Sequence, residues 1–219
     1  MTLDISLYGI VDPQIARGRS LATLAGTAAR AGATLIQYRC KSDNTRHLMA
    51  EAASIRDALA GTGVPLLIND RVDVALAIGA DGVHLGDDDM ALAHARRLLG
   101  AKAIIGATVK AATEMSSLPI GVCDYACIGG VYQTSHKDNA AQPIGVETFA
   151  RKLAVTRARL GDDVQIGAIA GITAHNLGAL FGAGADGVAV IGAMFGDDDV
   201  AAATRALKNA IATARGANG

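Results

Sequence analysis

The chain has 219 residues, and 20 Lys and Arg against 21 Asp and Glu leave a formal charge of -1, so no global field draws it to nucleic acid or an anionic membrane. Hydrophobic residues make up 51% of it, but in short runs of Ala, Val, Leu and Ile that fall well short of the roughly 18 unbroken apolar positions of a membrane span. The opening MTLDISLYGIVD has no basic stretch followed by a long apolar one, and Cys40, Cys123 and Cys127 lack metal-type spacing, which together lead us to expect a cytoplasmic chain with reduced thiols.

Eight short apolar runs alternate with Ala-rich amphipathic stretches. Strands are predicted near 5–11, 33–38, 64–68, 82–85, 103–107, 124–128, 164–169 and 187–191, with helical patterns between them and a last helix from about 198 to 214. Near-continuous apolar strands imply burial on both faces, as in a parallel sheet wrapped in helices. IGADGVHLG at 78–86 and AGADGVAVIG at 183–192 repeat one grammar of helix end, Gly and strand, and AGATLIQYR at 31–39 is a looser copy. The expected fold is α/β, a single-domain (β/α)8 TIM barrel over 1–219 with 215–219 as a frayed tail; an open doubly wound sheet is the alternative.

In such barrels the active site lies where the strands end. The second strand runs into Gln37-Tyr38-Arg39-Cys40-Lys41, the third into Asn69-Asp70-Arg71, the fourth into Asp87-Asp88-Asp89, and the fifth into Thr108 and Lys110. Gln37, Arg39 and Lys41 follow the period of two of an extended segment, and two cations with an amide suit a polyphosphate; a solvated strand end is the bland alternative. Asp70 and Asp89, from adjacent strand ends, suit Mg²⁺, which takes one or two carboxylates and completes its shell with water and phosphate. The same acids, Asp87 and Asp88 included, equally suit helix N-caps. The stretch GGVYQTSHKDN, 129–139, pairs glycines with Thr134, Ser135, His136 and Lys137, a composition able to wrap a phosphate. Gly171 after the seventh strand, and Ile191 and Gly192 after the eighth, stand where barrels often hold phosphate on backbone N–H groups. His84, inside an apolar run, reads as packed or lining the barrel, while His47, His94 and His175 read as surface residues; no zinc spacing or nucleophilic triad is evident.

QYRCK, INDRVDVALAIGADGVHLGDDD, GGVYQTSHKDN, AIAGI and ADGVAVIGA, in that order, resemble the thiamine-phosphate synthase family over nearly the whole chain. The resemblance implies a transferase that joins 4-amino-5-hydroxymethyl-2-methylpyrimidine diphosphate to a thiazole phosphate, carboxylated or not, with Mg²⁺, and releases diphosphate. It implies that the run Gln37 to Lys41, including Tyr38 and Cys40, and Asn69 and Thr108 bind substrate. Arg39, Lys41 and Lys137 would stabilise the departing diphosphate. Asp70 and Asp89 would hold Mg²⁺, and Thr134, Ser135, His136, Gly171, Ile191 and Gly192 the thiazole phosphate. The sequence departs from the family pattern at Asp87, where Gln is common, at His136, where Ser or Thr is, and at Gly192, where Ser is. Two rivals follow: a thiazole aminotautomerase of the same fold, and a non-catalytic thiamine-phosphate-binding regulator. Small molecules are the expected partners, with no nucleic acid or membrane, and assembly into a homo-oligomer is left open.

Overall fold

The computed structural model describes residues 3–42, 44–133 and 142–217, with side chains throughout except at 112 and 113. Eight parallel strands form a closed barrel in chain order: β1 (Leu7–Val11), β2 (Leu35–Tyr38), β3 (Leu66–Asn69), β4 (Gly82–Leu85), β5 (Ile104–Val109), β6 (Tyr125–Ile128), β7 (Gln165–Ile169) and β8 (Gly187–Val190). Closure rests on β1 pairing with β8, with Leu7 opposite Val188 and Gly9 opposite Val190, which removes the open-sheet alternative. Among the described residues, no helix is long and apolar enough to cross a membrane.

The helices around the barrel are α1 (Pro13–Ala16), α2 (Leu21–Ala31), α3 (Thr45–Leu59), α4 (Val72–Ile78), α5 (Leu92–Leu99), α6 (Ala112–Ser117), α7 (Gly145–Leu160), α8 (Leu177–Gly182), α9 (Gly192–Phe195) and α10 (Val200–Gly216). Alternation along each strand divides the core in two. Leu7, Val11, Ile36, Tyr38, Ile68 and Val83 pack outward under the helices, and Tyr8, Ile10, Leu35, Leu67, Tyr125 and Cys127 fill the barrel. Cys123 and Cys127 are buried, as expected of packing residues, and burial pushes the Cys127 thiol up to about 12. At the start of the expected tail, Arg215 is helical, stands 5.2 Å over the Phe181 ring and donates to the Asp186 carbonyl at 2.6 Å, which holds the last turn of α10 in place.

The repeated Gly-Ala-Asp-Gly grammar has a physical cause at the end of the barrel opposite the expected site. Asp81, just before β4, accepts from the Leu66 N–H that opens β3 at 2.8 Å. Asp124 does the same for Ile105 and Asp186 for Ile166, both at 2.7 Å, and Thr34 of the looser copy serves Leu7 at 3.0 Å. Each side chain thus satisfies a donor at the start of the preceding strand that the ladder leaves unpaired. The glycines that follow two of these acids have a steric reason. A Cβ on Gly82 would lie 1.8 Å from the Ile104 carbonyl oxygen, and one on Gly187 would lie 1.9 Å from that of Ile5.

Candidate active site

At the C-terminal ends of the strands the polar residues converge, but not all on one side. Gln37 points into the barrel, where it is 1% exposed and donates to Asn69 Oδ1 at 2.9 Å. Arg39 forms an ion pair with Asp12, the residue that follows β1, and Lys41 reaches across to Asp70 at 2.5 Å. Gln37, Arg39 and Lys41 therefore line the ends of β1 to β3, as the period of two anticipates. The two residues between them do not join the row. Tyr38 is buried under α3 and donates to Glu51, and Cys40 packs against the same outer layer. The pleat that turns the side chains of 37 and 39 inward turns those of 38 and 40 toward the helices.

The helix starts remove the cap reading for the acids. Helix α4 starts after Arg71 and α5 after Ala91, both without a side-chain cap, so neither Asp70 nor Asp87 to Asp89 caps a helix. Asp87 and Asp88 lie exposed in a turn. Asp70 takes a left-handed backbone, φ 62°, held by its N–H donating to the His84 carbonyl at 3.0 Å. Asp89 folds back to accept from the Gly86 N–H at 2.7 Å. Partial burial, and then the Asp70 carboxyl within hydrogen-bonding reach, raise the Asp89 pKa, while the nearby Lys41 ammonium opposes the rise. Two facing carboxylates beside cations suited to phosphate fit the donor set of Mg²⁺. Among the described residues no cluster of three or more His, Cys, Asp or Glu offers a metal a fuller protein cage.

The floor of this site is polar. Tyr8 donates to Gln37 Oε1, and Tyr125 donates to the Tyr8 oxygen at 3.0 Å. His84 Nδ1 meets the Tyr125 hydroxyl at 2.7 Å, and His84 Nε2 meets Thr108 Oγ1 at 2.6 Å. His84 is thus inside the barrel, as expected, but as part of a network rather than as packing alone. Asp12, Tyr8 and Tyr125 are the neighbours that sequence reading missed; Asp12 follows an apolar run just as Asp70 does, and that signal was available.

Around the rest of the rim, the chain after β6 crosses to the end of β7, where Val131 N–H donates to Ile169 O at 3.4 Å and Tyr132 N–H to Ala170 O at 3.2 Å. Gly171, φ 67°, fits beneath it: a Cβ there would come within 2.3 Å of the Gln133 carbonyl oxygen. Asn176 braces this corner, donating to Gly171 O at 2.9 Å and accepting from Thr173 N–H at 2.8 Å. Ile191 precedes α9, which Gly192 opens. The first turn of a helix leaves N–H groups free of intrahelical partners, and those are the donors expected for phosphate. Thr134, Ser135, His136 and Lys137 lie outside the described residues.

The profile of the family described as thiamine monophosphate synthase matches residues 7–194. The chain belongs to this family. It is 49% identical over 209 residues to the thiamine-phosphate synthase of Agrobacterium fabrum, covering 95% of this chain and 94% of that one. It is 41% identical over 206 residues to that of Chloroflexus aurantiacus, covering 94% and 92%. The solved thiamine phosphate pyrophosphorylase of Pyrococcus furiosus superposes with a TM-score of 0.81 at 30% identity, covering 97% of this chain and 98% of that one. Fold and family agree with the expectations drawn from the sequence.

Proposed function

We propose that this chain is a thiamine-phosphate synthase, a cytoplasmic transferase that joins 4-amino-5-hydroxymethyl-2-methylpyrimidine diphosphate to a thiazole phosphate and releases diphosphate. The observation that carries the reading is the meeting of Asp70 and Asp89 beside Lys41 and Arg39 at adjacent strand ends. An aminotautomerase has no diphosphate to bind and no use for that combination.

In this reading Asp70 and Asp89 hold Mg²⁺, which when bound supplies positive charge to the diphosphate oxygens. Arg39 offers a planar fork to the same group and Lys41 a point charge, with Lys137 expected to add another. As the carbon–oxygen bond breaks, its electron pair leaves with the diphosphate, and these cations stabilise the charge that develops there. The pyrimidine methyl cation left behind is resonance-stabilised, and the lone pair of the thiazole nitrogen forms the new carbon–nitrogen bond. No proton needs removing by a strong base, in keeping with the phenols and amides that line the barrel. Gln37 and Asn69, tied to each other, position the substrate, while the rim at Gly171 and Gly192 takes the thiazole phosphate on backbone N–H groups.

A diphosphate-release assay with both substrates tests the reading. We expect Mg²⁺-dependent turnover that falls by about 10²-fold or more in Asp70→Ala and Arg39→Ala. Binding of the pyrimidine diphosphate with no release on adding the thiazole phosphate would sink it and favour a regulator.

A further inference from the structure

One chain of hydrogen bonds runs across the floor of the site: Asn69, Gln37, Tyr8, Tyr125, His84, Thr108. Its two ends are residues expected at the substrate, and its middle is fully buried. Among the described residues no buried side-chain nitrogen or oxygen lacks a partner, so the chain has no slack with which to reorganise.

We infer that this chain is polarised in a single direction, so that His84 is held as its Nδ1–H tautomer and acts as a positioning residue that makes the Thr108 hydroxyl an acceptor toward substrate. Each link dictates the next. The Gln37 amide gives its N–H to Asn69, so its oxygen must accept from Tyr8. A phenol has one proton, and with that of Tyr8 spent on Gln37, its oxygen accepts the proton of Tyr125. Burial raises the pKa of both phenols well above the usual value, so both keep their protons. The Tyr125 oxygen can then only receive from His84, which places the ring proton on Nδ1. A neutral imidazole has one N–H, so Nε2 accepts and Thr108 donates to it.

Thr108 is left with lone pairs alone for a ligand. In the two proposed substrates the exocyclic amine of the pyrimidine is the one N–H donor, and we assign it to Thr108. The direction rests on the reading in the preceding section: the reverse polarity would turn the Asn69 carbonyl oxygen, rather than its NH₂, toward the diphosphate.

Long-range ¹H–¹⁵N correlation on full-length protein labelled with ¹⁵N-histidine tests this without any variant. The His84 ring, identified by its loss in His84→Gln, should show the Nδ1–H pattern; an Nε2–H or imidazolium pattern overturns the inference. Tyr8→Phe removes the acceptor for the Tyr125 proton, which should turn to Nδ1, move the ring proton to Nε2 and convert Thr108 into a donor. We expect the tautomer to switch and the KM for the pyrimidine diphosphate to rise about tenfold, with a smaller change in kcat. A folded Tyr8→Phe that keeps Nδ1–H overturns the coupling; should that variant not fold, Gln37→Leu removes the acceptor of the Tyr8 proton, which frees the chain to reverse, and there the tautomer alone is read, with retained Nδ1–H overturning the coupling. A correct tautomer in a protein that releases no diphosphate would overturn the proposed function and leave the polarised chain standing.

Discussion

The carboxyl of Asp89 faces that of Asp70, and the two are fixed by unrelated means: Asp70 by a left-handed backbone tied to β4 and by Lys41, Asp89 by the N–H of Gly86. Neither is free to swing away. The pKa of Asp89 is raised by burial and by Asp70. A carboxyl raised above its unfolded value of 3.8 destabilises the fold once ionised, because the folded state still binds a proton where the unfolded state has lost it. Stability therefore falls as pH climbs from that value through the folded pKa. In metal-free protein, Asp89→Asn should raise Tm at pH 7 and leave it unchanged at a pH below both values. Added Mg²⁺ at about a hundredfold over its Kd should stabilise the wild type by about 2.7 kcal/mol and the variant far less. A thermal-shift series in pH and Mg²⁺ reads both effects, and a variant less stable than wild type at pH 7 without metal would refute the repulsion.

Asp12 both accepts from the Gln14 N–H at the start of α1 and pairs with Arg39. Replacing it with Ala removes a cap and leaves a largely buried guanidinium unpaired. The expected cost is about 2–4 kcal/mol in denaturant unfolding, with a rise of about tenfold or more in KM for the pyrimidine diphosphate. Asp12→Asn keeps an acceptor for Gln14 and should recover about 1 kcal/mol without restoring KM.

Gly82→Ala should be among the most damaging small substitutions in the chain. Its Cβ would lie 1.8 Å from a backbone oxygen of β5, which cannot give way without parting two strands. We expect a loss of about 3 kcal/mol or more, visible as a shift in denaturant midpoint.

Asp186 accepts from Ile166 N–H and from Arg157 at the end of the barrel away from the site. Asp186→Ala should cost about 1–3 kcal/mol and leave kcat and KM near their wild-type values. Changed kinetics at unchanged stability would contradict the division of the barrel into a stabilising end and a chemical end.

All eight strands were legible because each is a short apolar run bounded by glycine or by a change of period, and their observed ends lie within about two residues of those read from the sequence. The four-residue helices α1 and α9 were not, since one turn carries no periodicity. The rim acids were legible as a choice, cap or ligand. The backbone removes the cap reading, because Asp70 turns left-handed just before a helix that begins without a side-chain cap. A contiguous run such as Gln37 to Lys41 hides the pleat that sends the side chain of Tyr38 away from that of Gln37. The chain through Tyr8, Tyr125 and His84 was hidden for another reason: within an apolar run, an aromatic facing the barrel interior looks the same as one facing a helix.

The acids and threonine that close the far end of the barrel also impose an order in time. Leu66 finds its side-chain acceptor 15 residues downstream, Ile105 finds its own 19 residues downstream, Ile166 20 and Leu7 27. Each of these four strands, β1, β3, β5 and β7, is thus completed by the unit that leaves the ribosome next, so a nascent chain cut off directly after one of them would carry an unsatisfied edge. The seam between β1 and β8 has to wait for the final strand, so the chain reaches its catalytic shape only after nearly all of it has been made.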